Sequence, residues 1–209
     1  MSAATTHSVA GLDVSRETFE ELEAFVAQVK RWNPAINLVS KSAVPHLWER
    51  HVIDSAQLFA FCPASAGSWV DIGSGGGFPG LVVAILAKEL LPNLRVTLVE
   101  SDQRKATFLR QAVQSLGLTA TVMSQRIESI PPLEAEVISA RALAPLDELL
   151  GLVKPHLRHD GVALFPKGAR HAAELTEARK TWRFGVTAHP SILDLDAAIL
   201  EIRNINREP

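Results

Sequence analysis

A glycine-rich turn and an acid downstream of it are the residues of this sequence whose types and spacing could bind a ligand. The run 71–80 reads DIGSGGGFPG, and Gly75, Gly77 and Gly80 satisfy the GxGxxG pattern between a predicted strand and a predicted helix. Glycines let a ligand approach the backbone because no Cβ atom intervenes. Glu100 ends the next predicted strand, where a carboxylate can accept hydrogen bonds from two ribose hydroxyls. Turn and acid together predict an adenosine-type ligand.

The residue two places before the first glycine distinguishes between the adenosine ligands. Asp71 forms an acid-x-Gly-x-Gly run with Gly73 and Gly75, which is typical of methyltransferases and unusual in nicotinamide-binding folds. S-adenosylmethionine lacks a pyrophosphate but carries an ammonium and a sulfonium group, so an acid and carbonyl oxygens near the turn complement its charge. We therefore expect this cofactor. The alternatives are a dehydrogenase, or a glycine turn that only packs a helix against a strand.

Short β-rich runs alternate with helical patterns around this turn. Helical periodicity occurs at 79–90 and 103–116, and a charged helix is expected around 169–181. Repeated strand-helix units predict a doubly wound, Rossmann-like α/β fold of the class I methyltransferase kind, with a mostly parallel sheet and an antiparallel pair at one edge. The six or seven predicted strands lie at 68–72, 95–99, 119–123, 137–140, 162–165, 185–189 and 197–203.

The first part of the chain is predicted to be helical. Apolar residues at three- and four-residue spacing predict an amphipathic helix that begins after Ser15 and stops near Asn33-Pro34, since proline disfavours helical geometry in the preceding residue. A second helical segment is predicted at 44–61. We therefore divide the chain into an N-terminal helical cap, 1–62, and a cofactor-binding core, 63–209, which form one compact unit.

Composition excludes several classes of protein. The 209 residues are 47% hydrophobic with a net charge of -2, which suits one folded domain and gives no overall nucleic-acid signature. Cys62 is the single cysteine, so an internal disulfide and a cysteine-based zinc site are excluded, and we expect no metal. The sequence contains neither the apolar core of a signal peptide nor a membrane-spanning run. We expect a soluble cytoplasmic protein that is a monomer and does not enter membranes.

Short motifs occur in one order along nearly the whole chain. They are Trp32-Asn33 with Ile36-Asn37-Leu38-Val39-Ser40, Arg50-His51 with Asp54-Ser55, the turn 71–80, Val99-Glu100-Ser101 with Arg104-Lys105 and Phe108-Leu109, Arg126-Ile127-Glu128, Ser139 with Arg141-Ala142, and Pro166-Lys167-Gly168. This set resembles the small-subunit rRNA 7-methylguanosine methyltransferases, long called the glucose-inhibited division protein B family. The resemblance implies methyl transfer to N7 of one guanosine in the decoding-region loop of 16S rRNA in the 30S subunit. It also implies cofactor contacts at Gly73, Phe78, Ile127, Glu128 and Arg141.

The expected chemistry needs positioning rather than proton removal. Guanine N7 has a lone pair and no proton, so it can displace the sulfonium directly, and catalysis then depends on distance and alignment. Arg141 and Lys167, which match family sites after the fourth and fifth strands, are therefore expected to act as positioning residues. Arg141 could hold the cofactor carboxylate or guanine O6, and the alternative is an ordinary salt bridge. Phe78 either stacks on a ligand or packs in the core.

RNA binding requires local positive charge. Arg104 and Lys105 on one predicted helix are candidates, as is Lys167, although such interrupted charge runs are more often solvated faces. In the cap, Asn37, Arg50, His51 and Asp54 are expected to serve the architecture or to contact RNA. RNA as substrate therefore depends on the resemblance. The remaining alternatives are methylation of a small molecule or protein, which would be independent of RNA, and a module that binds without turnover and assists ribosome assembly.

Overall fold

The N-terminal segment combines a hairpin with helices in the computed structural model, which describes residues 6–208. Strands β1 (His7–Val9) and β2 (Leu12–Val14) pair antiparallel. The sequence pattern predicts helices alone for this part, and that prediction is incomplete. The reason is that three-residue strands are too short to show the alternation that marks a strand.

The first helix is longer than its proline suggests. Helix α1 (Arg16–Ile36) begins after Ser15, whose Oγ accepts a hydrogen bond from the N–H of Thr18 at 3.2 Å. It continues past Pro34 to Asn37, which has a left-handed φ of 49° and ends the helix. The predicted stop at Asn33-Pro34 is therefore wrong by about one turn, because the left-handed residue rather than the proline terminates the helix.

Residues 41–59 form the predicted second helical segment as three consecutive pieces. A 3₁₀-helix spans Lys41–His46, a wider π-helix spans Trp48–Ile53, and α2 covers Asp54–Phe59. π-Helical turns are rare in proteins, and those that occur are often found at functional sites. The π-helix here faces the carboxyl end of the sheet, as described below.

A seven-stranded sheet lies behind these elements, in the order β5-β4-β3-β6-β7-β9-β8. The first five of these strands run parallel, and β9 is antiparallel to both β7 and β8. The predicted mostly parallel sheet with an antiparallel edge is thus confirmed. Its strands are β3 (Ser68–Ile72), β4 (Arg95–Val99), β5 (Ala120–Met123), β6 (Ala135–Ala140), β7 (Leu157–Lys167), β8 (Trp182–Pro190) and β9 (Ala198–Arg207).

Helices cover both faces of the sheet. Neighbouring strand residues alternate between two buried clusters: Trp69 lies in the cluster that includes cap residues, α3 and α4, whereas Val70 lies in the one that includes α5. The cap therefore shares a core with the sheet. The helices are α3 (Gly80–Leu90), α4 (Gln103–Ser115), α5 (Leu146–Val153) and α6 (His171–Ala178). No helix among residues 6–208 is long and apolar enough to span a bilayer.

Candidate active site

The glycine turn after β3 lies at the carboxyl end of the sheet. Gly73, Gly75 and Gly77 have positive φ values of 67°, 52° and 88°, a region that glycine adopts at little cost. The N–H groups of Gly73 and Ser74 both donate to the carbonyl of Val99, at 2.9 and 3.1 Å, and tie the turn to the end of β4. A Cβ atom at Gly75 would meet only the Gly73 carbonyl, at 3.7 Å. Gly75 therefore faces space that a ligand could occupy.

Glu100 lies directly beside this turn. Its Oε2 accepts a hydrogen bond from the N–H of Gly75 at 2.8 Å, and its Oε1 accepts one from the N–H of Asp102 at 2.7 Å. Each carboxylate oxygen has a second lone pair that could still accept from a ribose hydroxyl. Turn and acid thus fit the adenosine part of the expected cofactor.

Asp71 does not face this space. Its side chain is fully buried, where Oδ1 accepts from the Ser139 hydroxyl at 2.7 Å and Oδ2 from the N–H of Gly80 at 3.2 Å. Burial raises the pKa of this carboxyl to about 6, despite the opposing effect of these hydrogen bonds. In this structure Asp71 therefore binds the backbone at Gly80, the far end of the glycine turn, and its predicted contact with the cofactor stays a prediction.

The turn after β5 carries two further residues expected to contact the cofactor. Ile127 and Glu128 belong to a short 3₁₀-helix, Ile127–Ser129. The Ile127 side chain is buried, while the exposed carboxylate of Glu128 lies 2.6 Å from Arg126, which lowers its pKa. The Ile127 carbonyl already accepts from the N–H of Ile130 at 3.1 Å, so the N–H groups of this turn are the backbone groups that could meet an adenine edge.

Arg141 follows β6 and joins the core to the cap. Its Nη1 donates to Asp54 Oδ2 at 3.1 Å and to the carbonyl of Arg50 at 3.2 Å, and its Nη2 contacts His51 Nδ1. The guanidinium also lies 5.6 Å from the centre of the Phe78 ring, on which His51 stacks at 5.0 Å. We call Arg141, His51, Asp54 and Phe78 the Arg141 cluster. The acid in its salt bridge, Asp54, comes from the cap.

His51 is neutral in this cluster. Burial, assisted by the charges of Arg141 and Arg50, lowers its pKa to about 4. A guanidinium only donates, so Nδ1 accepts and the proton resides on Nε2, which is buried without a partner among residues 6–208. In this structure Nδ1 is therefore engaged and Nε2 is buried, which agrees with the architectural alternative, and an RNA contact at His51 stays a prediction.

Lys167 fixes the segment that follows Arg141. Its Nζ lies 2.7 Å from Glu174 Oε2 and donates to the carbonyl of Ala144 at 3.0 Å. The same Glu174 oxygen accepts from the N–H of Leu146 at 3.0 Å. Lys167 at the end of β7 and Glu174 on α6 thus hold both ends of 144–146. Sequence reasoning missed Glu174, which looked only like an acid that interrupts a basic run.

A cleft of about 970 Å³ opens between these groups, a volume suited to a nucleotide-sized ligand. Arg50, Asp54 and Gln57 form its cap side, and Arg141, Leu143 and Lys167 lie on its core side. Sequence reasoning also missed Leu143, which packs closely on Gly73. If Gly73 had a Cβ atom, that atom would lie only 2.7 Å from Leu143 Cδ1. Among residues 6–208, no group of three or more His, Cys, Asp or Glu is arranged to hold a metal ion.

The other predicted RNA contacts lie near the site but outside the cleft. Asn37 is exposed at the end of α1, and the neighbouring Leu38 carbonyl lies 3.0 Å from the position of a Cβ atom on Gly76, beside the glycine turn. Arg104, 70% exposed in its side chain, and Lys105 begin α4 just beyond Glu100. These residues surround the carboxyl end of the sheet without joining the Arg141 cluster.

The fold matches those of solved methyltransferases. A TehB-like SAM-dependent methyltransferase from Corynebacterium glutamicum aligns with a TM-score of 0.58 and 15% identity, covering 88% of this chain and 99% of that one. A SAM-dependent methyltransferase from Aquifex aeolicus aligns with a TM-score of 0.56 and 14% identity, covering 85% and 96%. The predicted doubly wound methyltransferase fold is confirmed.

Closer relatives match along nearly the whole chain. A ribosomal RNA small subunit methyltransferase G from Cereibacter sphaeroides (strain ATCC 17029 / ATH 2.4.9) is 53% identical over 93% of this chain and 95% of its own. Its namesake from Chelativorans sp. (strain BNC1) is 48% identical over 96% and 95%. Residues 18–203 also match the family GidB, described as rRNA small subunit methyltransferase G. The resemblance and the cofactor predicted from the sequence are confirmed: this chain is an S-adenosylmethionine-dependent methyltransferase that belongs to the GidB family.

Proposed function

We propose that this protein transfers a methyl group to N7 of a guanosine in the decoding-region loop of 16S rRNA, in the small ribosomal subunit. The observation that carries this proposal is the nucleotide-sized cleft next to the glycine turn, in a chain whose relatives are named for the small-subunit RNA. The cleft adjoins the carboxyl ends of the strands, where ligands of such sheets bind. A base held there would lie beside a cofactor on the turn.

The residues around the turn fit S-adenosylmethionine, which supplies an electrophilic methyl group when bound. We assign the ribose to Glu100 and the adenine edge to the backbone of Ile127 and Glu128. Gly75 leaves space beside the turn for the rest of the cofactor, and the positive φ values of Gly73 and Gly77 shape the turn itself. Arg141 lines the adjoining cleft, while Phe78, which is 4% exposed between His51 and Phe25, and Asp71 stabilise the turn by packing and hydrogen bonding.

The ionisable groups beside the cleft suit a reaction without a general base. Arg141 is paired with Asp54 and Lys167 with Glu174, while His51 has a lowered pKa and an Nδ1 already directed at Arg141. Guanine N7 needs no deprotonation, so these groups act by position and charge. Holding reactants in alignment can supply roughly 7–11 kcal/mol in favourable systems.

We assign RNA binding to the basic and polar groups around the site, namely Asn37, Arg50, Arg104, Lys105 and Lys167. Their charge is local, which agrees with the net charge of -2 for the whole chain. We further propose that the protein works as a monomer in the cytoplasm. Two of the exposed large apolar side chains, Leu143 and Leu193, line the cleft itself, which favours a ligand rather than a second copy of the chain as what covers them.

The direct test is transfer of labelled methyl to 30S subunits from a strain that lacks this protein, followed by nuclease digestion and nucleoside analysis. Label in 7-methylguanosine at one position of 16S rRNA is the expected result. Subunits that already carry the mark serve as the control and should accept no label. Absence of transfer to both 30S subunits and free 16S rRNA would contradict the proposed substrate.

A further inference from the structure

The guanidinium of Arg141 is held by acceptors from a single turn of the cap. Asp54 Oδ2 and the Arg50 carbonyl both bind Nη1, whereas His51 Nδ1 meets Nη2. Arg50 and His51 belong to the π-helix Trp48–Ile53, and Asp54 begins α2 directly after it. Arg141 thus meets the cap through two different nitrogen atoms.

The contact to Nη2 determines the plane of the guanidinium. Bonds to Nη1 alone leave the planar group free to rotate about that atom, and the Asp54 contact at 3.1 Å involves only one carboxylate oxygen and one nitrogen. A second acceptor on Nη2 removes this rotation, as the two-point contact does in bidentate pairs. His51 supplies it, so the ion pair with Asp54 contributes charge and His51 contributes orientation.

The imidazole is itself fixed in place. Its ring stacks on Phe78, with 5.0 Å between centroids and 29° between planes, and Phe78 lies against Phe25 of α1 at 5.0 Å. Phe78 also belongs to the glycine turn. One aromatic ring therefore connects the cap helix, the imidazole and the turn on which the cofactor is placed.

We propose that His51 is a positioning residue, which orients Arg141 through the acceptor Nδ1 so that the remaining N–H groups of the guanidinium face the cofactor or the base. The cap thereby completes the site instead of only covering the sheet. This inference rests on the proposed function for its methyl-transfer readout alone, since cofactor affinity can be measured without RNA.

Two amide substitutions at His51 distinguish the effect of the Nδ1 acceptor from that of the imidazole ring. In His51→Asn the side-chain oxygen can take the place of Nδ1, whereas in His51→Gln it reaches the place of Nε2 instead. Hydrogen bonds to charged groups are strong enough that losing one changes an equilibrium or a rate about tenfold or more. We expect His51→Gln to lower cofactor affinity or kcat by about that factor, and His51→Asn to stay within about threefold of the unchanged protein.

A double-mutant cycle tests whether the effect passes through Arg141. Arg141→Ala, His51→Gln and the double variant are compared in cofactor titration and in methyl transfer to 30S subunits. Arg141→Ala is expected to lower cofactor affinity, kcat or both. When His51→Gln is added to Arg141→Ala, we expect the lowered quantity to change by less than a further twofold. Full additivity, or an Arg141→Ala variant that affects neither quantity, would overturn the proposal.

His189 provides a matched control. It stacks on Phe61 at 4.1 Å and pairs with Glu201 at 2.9 Å, so it too joins a cap residue to the sheet, away from Arg141. His189→Gln should alter thermal stability as much as His51→Gln does but leave cofactor affinity and kcat unchanged. If the unaltered protein transferred no methyl to RNA, the proposed substrate would fail, while the cycle in cofactor affinity would still decide the role of His51.

Discussion

The carboxylate of Glu100 accepts a hydrogen bond from the backbone N–H of Gly75 at 2.8 Å, so the acid that follows β4 holds the glycine turn that follows β3. The two residues are 25 positions apart in sequence. They meet because β3 and β4 are neighbouring parallel strands, whose carboxyl ends lie at the same edge. The residue expected to bind the ribose is therefore also one that shapes the backbone around it.

This arrangement predicts the outcome of Gly75→Val. A valine would project into the space beside the turn, where the cofactor is placed, and would also be strained by the φ of 52°. We expect cofactor affinity, measured by calorimetric titration, to fall by more than about a hundredfold, while the circular dichroism spectrum stays that of a folded protein.

Gly117→Val is the control for backbone strain. Gly117 has a φ of 59° after α4 and nothing within 4 Å of a Cβ atom, so valine there meets the same strain without blocking the turn. It should lose stability to a similar extent and bind the cofactor normally. Unchanged affinity in Gly75→Val would show that the cofactor lies elsewhere.

Much of the fold could be predicted because its signals are local and consistent. The runs 68–72 and 95–99 coincide with β3 and β4, since strands buried on both faces are short, apolar and bounded by turn residues. Helix α5 and the β1–β2 hairpin were not predicted. The hairpin strands have three residues each and pack against α1 and α3, so no alternation marks them. Helix α5 is short, but its buried residues Leu146, Leu149, Leu150 and Val153 do have helical spacing, and this signal was missed.

The site was predicted in part, for a similar reason. The glycine turn and Glu100 follow strands in a known order, so their proximity can be inferred from the sequence. The partners of Arg141 and Lys167 could not be inferred, because Asp54 and Glu174 approach through tertiary packing of the cap and α6. Likewise, no pattern indicates that Asp71 points into the core instead of toward the ligand.

Loss of either positioning residue should affect the reaction more than cofactor binding if both face the base. Lys167→Ala removes the bonds to Glu174 and to the carbonyl of Ala144, which releases the segment 144–146 beside the cleft. Arg141→Ala removes the link to the cap. We expect kcat for methyl transfer to fall at least about tenfold in each variant, and by a larger factor than cofactor affinity.

Lys88→Ala is a matched control for the lysine. Its Nζ also binds one carboxylate, Glu21 at 2.6 Å, and one carbonyl, that of Leu116 at 3.3 Å, but on the far side of the cap. It should leave both kcat and cofactor affinity unchanged. Equal losses in kcat and affinity at Arg141 or Lys167 would instead assign that residue to the cofactor.

The buried carboxyl of Asp71 predicts a pH dependence of stability. Its pKa of about 6 exceeds the unfolded value of 3.8, so the native state binds the proton more tightly than the unfolded chain does. Its contribution to the free energy of unfolding, about 3 kcal/mol, is therefore fully present below pH 4 and is lost as the pH rises through 6. Asp71→Asn lacks this titration.

Urea denaturation of both proteins between pH 4 and pH 7 measures this contribution. The lowered pKa of His51 acts in the opposite direction, but it is common to both proteins and cancels in their difference. We expect the free energy of unfolding of the unaltered protein, relative to that of Asp71→Asn, to decrease across this range. A constant difference would show that Asp71 titrates normally.

The contact between Leu143 and Gly73 predicts a variant that binds the cofactor more tightly. The Leu143 side chain, 41% exposed, lies on the α-carbon of the residue to which the family resemblance assigns a cofactor contact. A cofactor that occupies this position must displace the Leu143 side chain. The free energy of the contact between Leu143 and Gly73 therefore subtracts from the free energy of cofactor binding. Leu143→Ala removes much of that contact, and roughly 1 kcal/mol of apolar burial corresponds to an affinity gain of about fivefold.

Leu193→Ala is the control for this prediction. Leu193 is 43% exposed and lines the same cleft without lying on Gly73, so its substitution should leave the cofactor affinity unchanged. Calorimetric titration of both variants decides the question, because weaker binding by Leu143→Ala would mean that this side chain packs onto the bound cofactor instead of competing with it.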